Sequence, residues 1–221
     1  MKNLYVFALV EQASAPFSAA GHRIAFVEVE GVYAAVERIR RAPAVTEKAL
    51  RAQHEVVEQI GNRVMAVLPA RFGALVDDRE LAAVVFQRRT AIREALTLVR
   101  GRRQMTARLL AVDVAAPAAP EPVLSRVVSG TEYLEGRRAA ASPPLPAPLA
   151  GLASAVGSYV VAERAEGSRG RVLSTLYHLI DEADVEAYNA AAASVERGVH
   201  ESTLTISGPW VPFAFGPDLW A

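Results

Sequence analysis

The sequence predicts an α+β protein of two lobes, each a small, mostly antiparallel sheet backed by helices. Three observations predict it. Short β-rich apolar runs alternate irregularly with amphipathic helical stretches, in the order β, ββ, α, β, α and then β, α, α, β, α, β. A hairpin signal, Glu30-Gly31, sits between two β-capable runs and implies antiparallel pairing. The length, 221 residues, suits one large domain or two small ones. The division is placed at residues 1–100 and 101–221.

The elements follow in order. Leu4 to Val10 is nearly all apolar and reads as a central strand. Ala13 to Gly21 is small, polar and Pro-containing, and reads as a loop. Ile24 to Val29 and Val32 to Arg38 flank the Glu30-Gly31 turn as a hairpin. Thr46 can cap a helix running to Gln59 or Ile60, with Leu50, Gln53/His54, Val57 and Ile60/Gly61 on one face and Gly61-Asn62 as its stop. Val64 to Leu68 reads as a buried strand ended by Pro69, which has no N–H for a ladder. Arg71 and Phe72 then meet Gly73, where the chain is free to turn. A guanidinium so close to a buried strand must find a partner or water. Arg71 either ties the strand end to the next helix or clamps an anion.

Asp77 and Glu80 form a capping box, opening a long helix to Arg100. Its apolar stripe is Leu81, Val84, Val85, Ile92, Leu96 and Val99, and Arg88, Arg89 and Arg93 make its wet side. Gln104 to Val114 alternates as a strand. Residues 115–122 and 142–148 are Pro-rich breaks, and Ser129 with Glu132 caps a helix between them. A helix from Leu149 to Ala165, a turn at residues 167–170, a strand from Arg171 to Ile180, a helix from Glu182 to Glu196 and a last strand from Glu201 to Ser207 complete the chain.

Composition excludes several kinds of chemistry. There is no Cys, so disulfides, thiolate metal sites and thiol catalysis are excluded, in keeping with a reducing cytosol. The apolar start reads as a strand, not a signal peptide. No apolar run approaches the roughly 20 residues that cross a bilayer, so no membrane association is expected. Lys plus Arg and Asp plus Glu each number 24, which removes the global electrostatic case for nucleic acid. The Arg-rich stretch from Arg88 to Arg108 has no interleaved aromatics for base stacking and reads as a solvated helix face plus a turn.

Catalytic patterns are sought without success. His54-Glu55-Val56-Val57-Glu58 lacks the second His that a zinc-protease helix places at i+4. His22, His178 and His200 show no ligand spacing. There is no Gly-x-Ser-x-Gly elbow, phosphate loop or Gly-x-Gly-x-x-Gly. An enzyme or ligand-binding protein using His54, Glu58 and Arg71 stands as the alternative, and it requires those side chains to converge. The tail, Gly208-Pro209-Trp210-Val211-Pro212-Phe213-Ala214-Phe215, is stiffened by prolines and carries three large aromatics. It is expected to pack back on the body as a latch or to wait for a partner.

Several of these stretches together resemble the gas vesicle protein F/L family. The matching motifs are the strand Tyr5 to Val10, the helix segment His54, Val56 and Val57, Val-Leu-Pro-x-Arg-Phe-Gly at Val67 to Gly73, Gly130-Thr131-Glu132-Tyr133-Leu134, and Leu204 to Phe215 at the end. The ordered set spans nearly the whole length. The tail departs from the family's usual residues at Val211 and at Phe213-Ala214. The resemblance implies a ferredoxin-like second lobe, no catalysis and no cofactor. It implies a cytoplasmic, gas-vesicle-associated accessory protein whose partners are the small hydrophobic shell protein and other gas vesicle accessory proteins. The residues it marks as structural or partner motifs are Pro69, Arg71, Phe72, Gly73, Gly130, Thr131, Tyr133, Gly208, Pro209, Trp210, Pro212, Phe213 and Phe215.

Overall fold

The computed structural model describes residues 3–111, 145–196 and 202–217. Its contacts divide the chain into two compact units. The first comprises residues 1–105, 179–185 and 208–221, and the second residues 106–178 and 186–207.

The first unit is built on β1 (Asn3–Val10), buried at every residue from Leu4 to Val10. Such a strand needs cover on both faces and partners on both edges. On one edge it pairs antiparallel with β4 (Val32–Ile39), with a register shift at Phe7. On the other it pairs with β5 (Val67–Pro69) and, further along, with β6 (Leu75–Val76). β3 (His22–Val29) adds to β4 across a two-residue turn in which Glu30 and Gly31 have φ of 51° and 78°. Positive φ at both positions matches the right-handed twist of the flanking strands.

A second such turn, Ala20-Gly21, joins β3 to β2 (Phe17–Ala19). The stretch read as a loop over residues 13–21 therefore contains an edge strand. The local signal failed because Ala20 takes a φ of 49° that non-Gly residues seldom adopt. The sheet order is β2–β3–β4–β1–β5.

Helix α1 (Glu47–Gly61) starts where Thr46 accepts the Ala49 N–H, at 3.2 Å. Its Val56, Val57 and Ile60 join Tyr5, Phe7, Val10, Ile24, Val67 and Val211 in one apolar cluster. Leu50, expected on that face, is 44% exposed. Helix α2 (Asp78–Val99) packs against β1, β3 and β5. Both halves of its capping box form: Asp77 accepts from Arg79 and Glu80, and Glu80 accepts the Asp77 N–H. Leu81, Val85, Ile92, Leu96 and Val99 are buried, Val84 only partly.

The strand expected over residues 64–68 is displaced to Val67–Pro69, and Met65 is largely exposed. Pro69 ends the strand without ending the contact with β1, because the Ala70 N–H still reaches the Phe7 carbonyl at 2.8 Å. Successive strand N–H groups point to opposite sides, so the donor that Pro69 lacks faces away from β1 on an outer edge.

The second sheet runs β10–β7–β9–β8. Its described elements follow the order β7 (Arg102–Ala111), α3 (Ala147–Val156), β8 (Val160–Glu166), β9 (Val172–Asp181), α4 (Val185–Glu196) and β10 (Ser202–Trp210). The sheet thus places its strands fourth, first, third, second. The helix expected from Leu149 to Ala165 ends at Val156, and the chain then becomes β8. Gly157 and the β-favouring Tyr159-Val160-Val161 account for the change. The last strand extends to Trp210 and takes up the start of the tail. The helix capped by Ser129, the Pro-rich stretch 115–122, Gly130, Thr131 and Tyr133 lie outside the described residues.

Candidate functional site

Two of the sequence motifs meet α1. The first is the corner between β5 and β6. Ala70 and Ala74 both bond to β1, the Ala70 N–H to the Phe7 carbonyl and the Val6 N–H to the Ala74 carbonyl, each at 2.8 Å. Arg71 to Ala74 is therefore a short excursion from an edge otherwise paired to β1. A turn closes it, with the Ala74 N–H on the Arg71 carbonyl at 3.3 Å. Gly73 supplies a φ of 87°, which is the reason this motif ends in Gly.

The corner is fastened from beneath by Tyr5. The Gly73 N–H donates to the Tyr5 hydroxyl at 3.2 Å, and that hydroxyl donates to Gln53 Oε1. Gln53 Nε2 closes the circuit on the Ala70 carbonyl at 3.2 Å. Burial pushes the Tyr5 hydroxyl pKa up, and the Gly73 N–H offsets only part of that. Phe72 lies edge-on to the Tyr5 ring at 6.5 Å. Arg71 is exposed, and Phe72 is half-buried.

The second motif is the tail, which also lies on α1. Gly208 opens it at a φ of 134°, where a Cβ would stand 2.8 Å from the Gln104 carbonyl oxygen. Both facts require Gly at that position. Val211 is fully buried and enters the cluster of Val56, Val57, Ile60 and Val67. Gly61 makes room for it, since a Cβ there would come within 2.4 Å of Val211 Cγ1. Gly61 is thus an ordinary helical residue needed for close packing, and Asn62 is the cap.

Two side chains latch the tail backbone. Glu58 Oε1 accepts the Val211 N–H at 3.1 Å, and Gln104 Oε1 accepts the Ala214 N–H at 2.8 Å. The tail packs back as expected, but its deepest residues are Val211 and Pro212. Trp210 and Phe215 are half-buried and Phe213 is 41% exposed. His54 stacks on Phe213 at 5.6 Å and stands edge-on to Trp210 at 5.4 Å. With Leu50 one turn earlier on the helix, these residues make an apolar and aromatic face open to solvent.

Sequence reasoning missed Tyr5, Gln53, Gly61 and Gln104 as fastening residues. Gln53 had a signal, a polar side chain on the apolar face of α1. Nothing local marks Gln104 or the hydroxyl of Tyr5, whose partners lie 110 and 48 residues away.

The Glu58 carboxylate holds the tail, and its Oε1 is 4.0 Å from His54 Nε2. A polar cavity of about 360 Å³ in this unit is lined by Asn62, Arg63, Met65, Arg102, Arg103 and Glu182, among others, and not by His54, Glu58 or Arg71. Its arginines serve the ends of α1 and α2: Arg63 donates to the Gln59 carbonyl, Arg102 to the Leu98 carbonyl and Arg103 to Asn62. Among the described residues no group of three or more acidic or His side chains is placed to hold a metal ion, and no helix is long and apolar enough to cross a membrane.

The corner and the tail are both clasped to one helix, α1, of an antiparallel α+β scaffold, and that arrangement defines the class of fold. The family model described as gas vesicle synthesis protein GvpL/GvpF matches residues 3–217, and the chain belongs to that family, with a gas vesicle role. The fold is similar to the crystal structure of gas vesicle protein GvpF from Microcystis aeruginosa, with a TM-score of 0.73 and 10% identity over 97% of this chain and 99% of that one. It is likewise similar to that of GvpF from Anabaena sp. PCC7120, with a TM-score of 0.71 and 11% identity over 98% and 99%. Among curated proteins none matches the chain in sequence.

Proposed function

We propose that this protein is a non-enzymatic accessory of gas vesicle assembly, which binds the small hydrophobic shell protein in the cytoplasm and helps to nucleate or build the shell alongside other accessory proteins. The observation that carries this reading is the open face formed by Leu50 and His54 of α1 with Trp210 and Phe213 of the tail, whose backbone is held by Glu58 and Gln104. A strongly amphipathic shell subunit needs its apolar surface covered before it joins a lattice, and a preorganised aromatic face covers it without an ordering cost. Membership of the family supports the setting. The catalytic alternative has no observation in its favour, since His54 and Glu58 are engaged with the tail.

Co-purification of tagged protein with the shell protein, in the absence of detergent, tests the reading. Retention of the shell protein by the unaltered chain is expected, with loss in Leu50→Ser/Phe213→Ser. Failure of the unaltered chain to retain it would overturn the proposal.

A further inference from the structure

We propose that the outward face of α2 is a second docking surface, separate from the tail face, and that its occupant is an acidic amphipathic helix of a protein partner. Phe86, Arg89 and Arg93 fall at i, i+3 and i+7 and so share one side of the helix. Every residue from Phe86 to Ala91 is exposed, which in mid-helix means that α2 is uncovered over more than a full turn. Phe86 is 53% exposed, and its ring lies 5.0 Å from the Arg89 guanidinium carbon.

The charge on this face is one-sided. From Leu81 to Arg93 the sequence holds three arginines and no acidic residue. Arg38, Arg51, Arg100, Arg102 and Arg103 each sit against a carboxylate. Among the described residues Arg88, Arg89 and Arg93 do not, and Arg93 reaches only the Glu30 carbonyl at 3.5 Å. Arg89 and Arg93 therefore place positive charge beside Phe86 on this side of α2, with no carboxylate against either among the described residues.

The occupant must supply carboxylates to Arg89 and Arg93, and an apolar side chain to cover the Phe86 ring. A helix meets both demands, because the repeat on α2 is helical and Thr90, between Phe86 and Arg93 on that side, is short enough to let it approach. Duplex nucleic acid would use the arginines but leave Phe86 wet.

The probes are two synthetic amphipathic peptides of about 20 residues, long enough to form a helix. Both have Leu along one face, with Glu flanks in one and Lys flanks in the other. Titration is followed by amide chemical shifts of the full chain. The Glu peptide is expected to shift residues 82–97 and to bind more weakly as salt rises. Phe86→Ala should weaken it about tenfold, and Arg89→Glu/Arg93→Glu should abolish it. These positions are exposed, so the fold should persist. The shift map on the unaltered chain decides the matter if it does not. Absent binding, equal binding of the Lys peptide, shifts confined to the tail face, or preferential binding of duplex DNA or anionic vesicles at these residues would overturn the proposal.

Discussion

Tyr5 lies on β1, buried from Leu4 to Val10, yet its hydroxyl both accepts from Gly73 and donates to Gln53. Removing it in Tyr5→Phe leaves a Gln amide oxygen and a backbone N–H without partners in the interior. The expected cost is about 1–3 kcal/mol, measured by urea unfolding. Gln53→Leu should cost a similar amount, and the double variant less than the sum, because the two changes remove the same bond.

His178 is also fully buried. Its Nδ1 lies 2.7 Å from the Tyr188 hydroxyl and its Nε2 3.1 Å from Glu163. Burial pushes the Tyr188 pKa far up, so that hydroxyl stays protonated and donates to Nδ1. The imidazole proton then sits on Nε2 and is donated to Glu163. Burial lowers the His178 pKa, and the nearby Glu163 carboxylate only partly restores it. With the folded pKa below the unfolded value of about 6.5, the unfolded chain takes up the proton first as pH falls. The stability due to His178 is therefore full above that value and is lost as pH drops through the folded pKa. The melting temperature should fall on going from pH 7 to pH 5, and less steeply in His178→Gln.

At the scale of elements, local signals were legible where the chemistry is local. The Thr46 cap, the Asp77–Glu80 box and the Glu30-Gly31 turn each depend on residues within four positions of one another. Strand β2 was illegible because its turn uses Ala20, and the end of α3 because the Ala-rich sequence on either side of Gly157 and Tyr159-Val160-Val161 masks their preference for a break and a strand. The candidate site was half legible: its residues were visible as motifs, but not what they hold.

Gly61 illustrates the gap, since in sequence it looks like a helix stop and in the structure it is the seat of Val211. Two opposing effects decide the outcome of Gly61→Ala. Helix propensity favours Ala by roughly 0.5–1 kcal/mol, whereas forcing a methyl against a pinned, buried side chain costs about 1–3 kcal/mol. The variant should be destabilised overall in urea unfolding. Gly61→Ala/Val211→Ala should restore part of that loss relative to additive expectation, because the second change removes the atom that the first one strikes.

At the scale of the whole molecule, the proposed reading gives the tail two tasks, and they fall on different residues. Val211 and Pro212 point into the body, whereas Phe213 and Leu50 face water. An exposed ring contributes little to folding, so Leu50→Ser and Phe213→Ser should change stability by about 0.5 kcal/mol or less. Val211→Ala opens a cavity under α1 and should cost about 1–3 kcal/mol. If the open face handles another polypeptide, the two sets must separate in cells that form gas vesicles. The serine variants should keep their melting temperature and lose buoyancy of the culture. A Val211→Ala variant should lose melting temperature, and buoyancy only in proportion to the folded protein that remains. Normal buoyancy in Leu50→Ser/Phe213→Ser at normal abundance would remove the tail face from the assembly reaction and leave it a purely internal clasp.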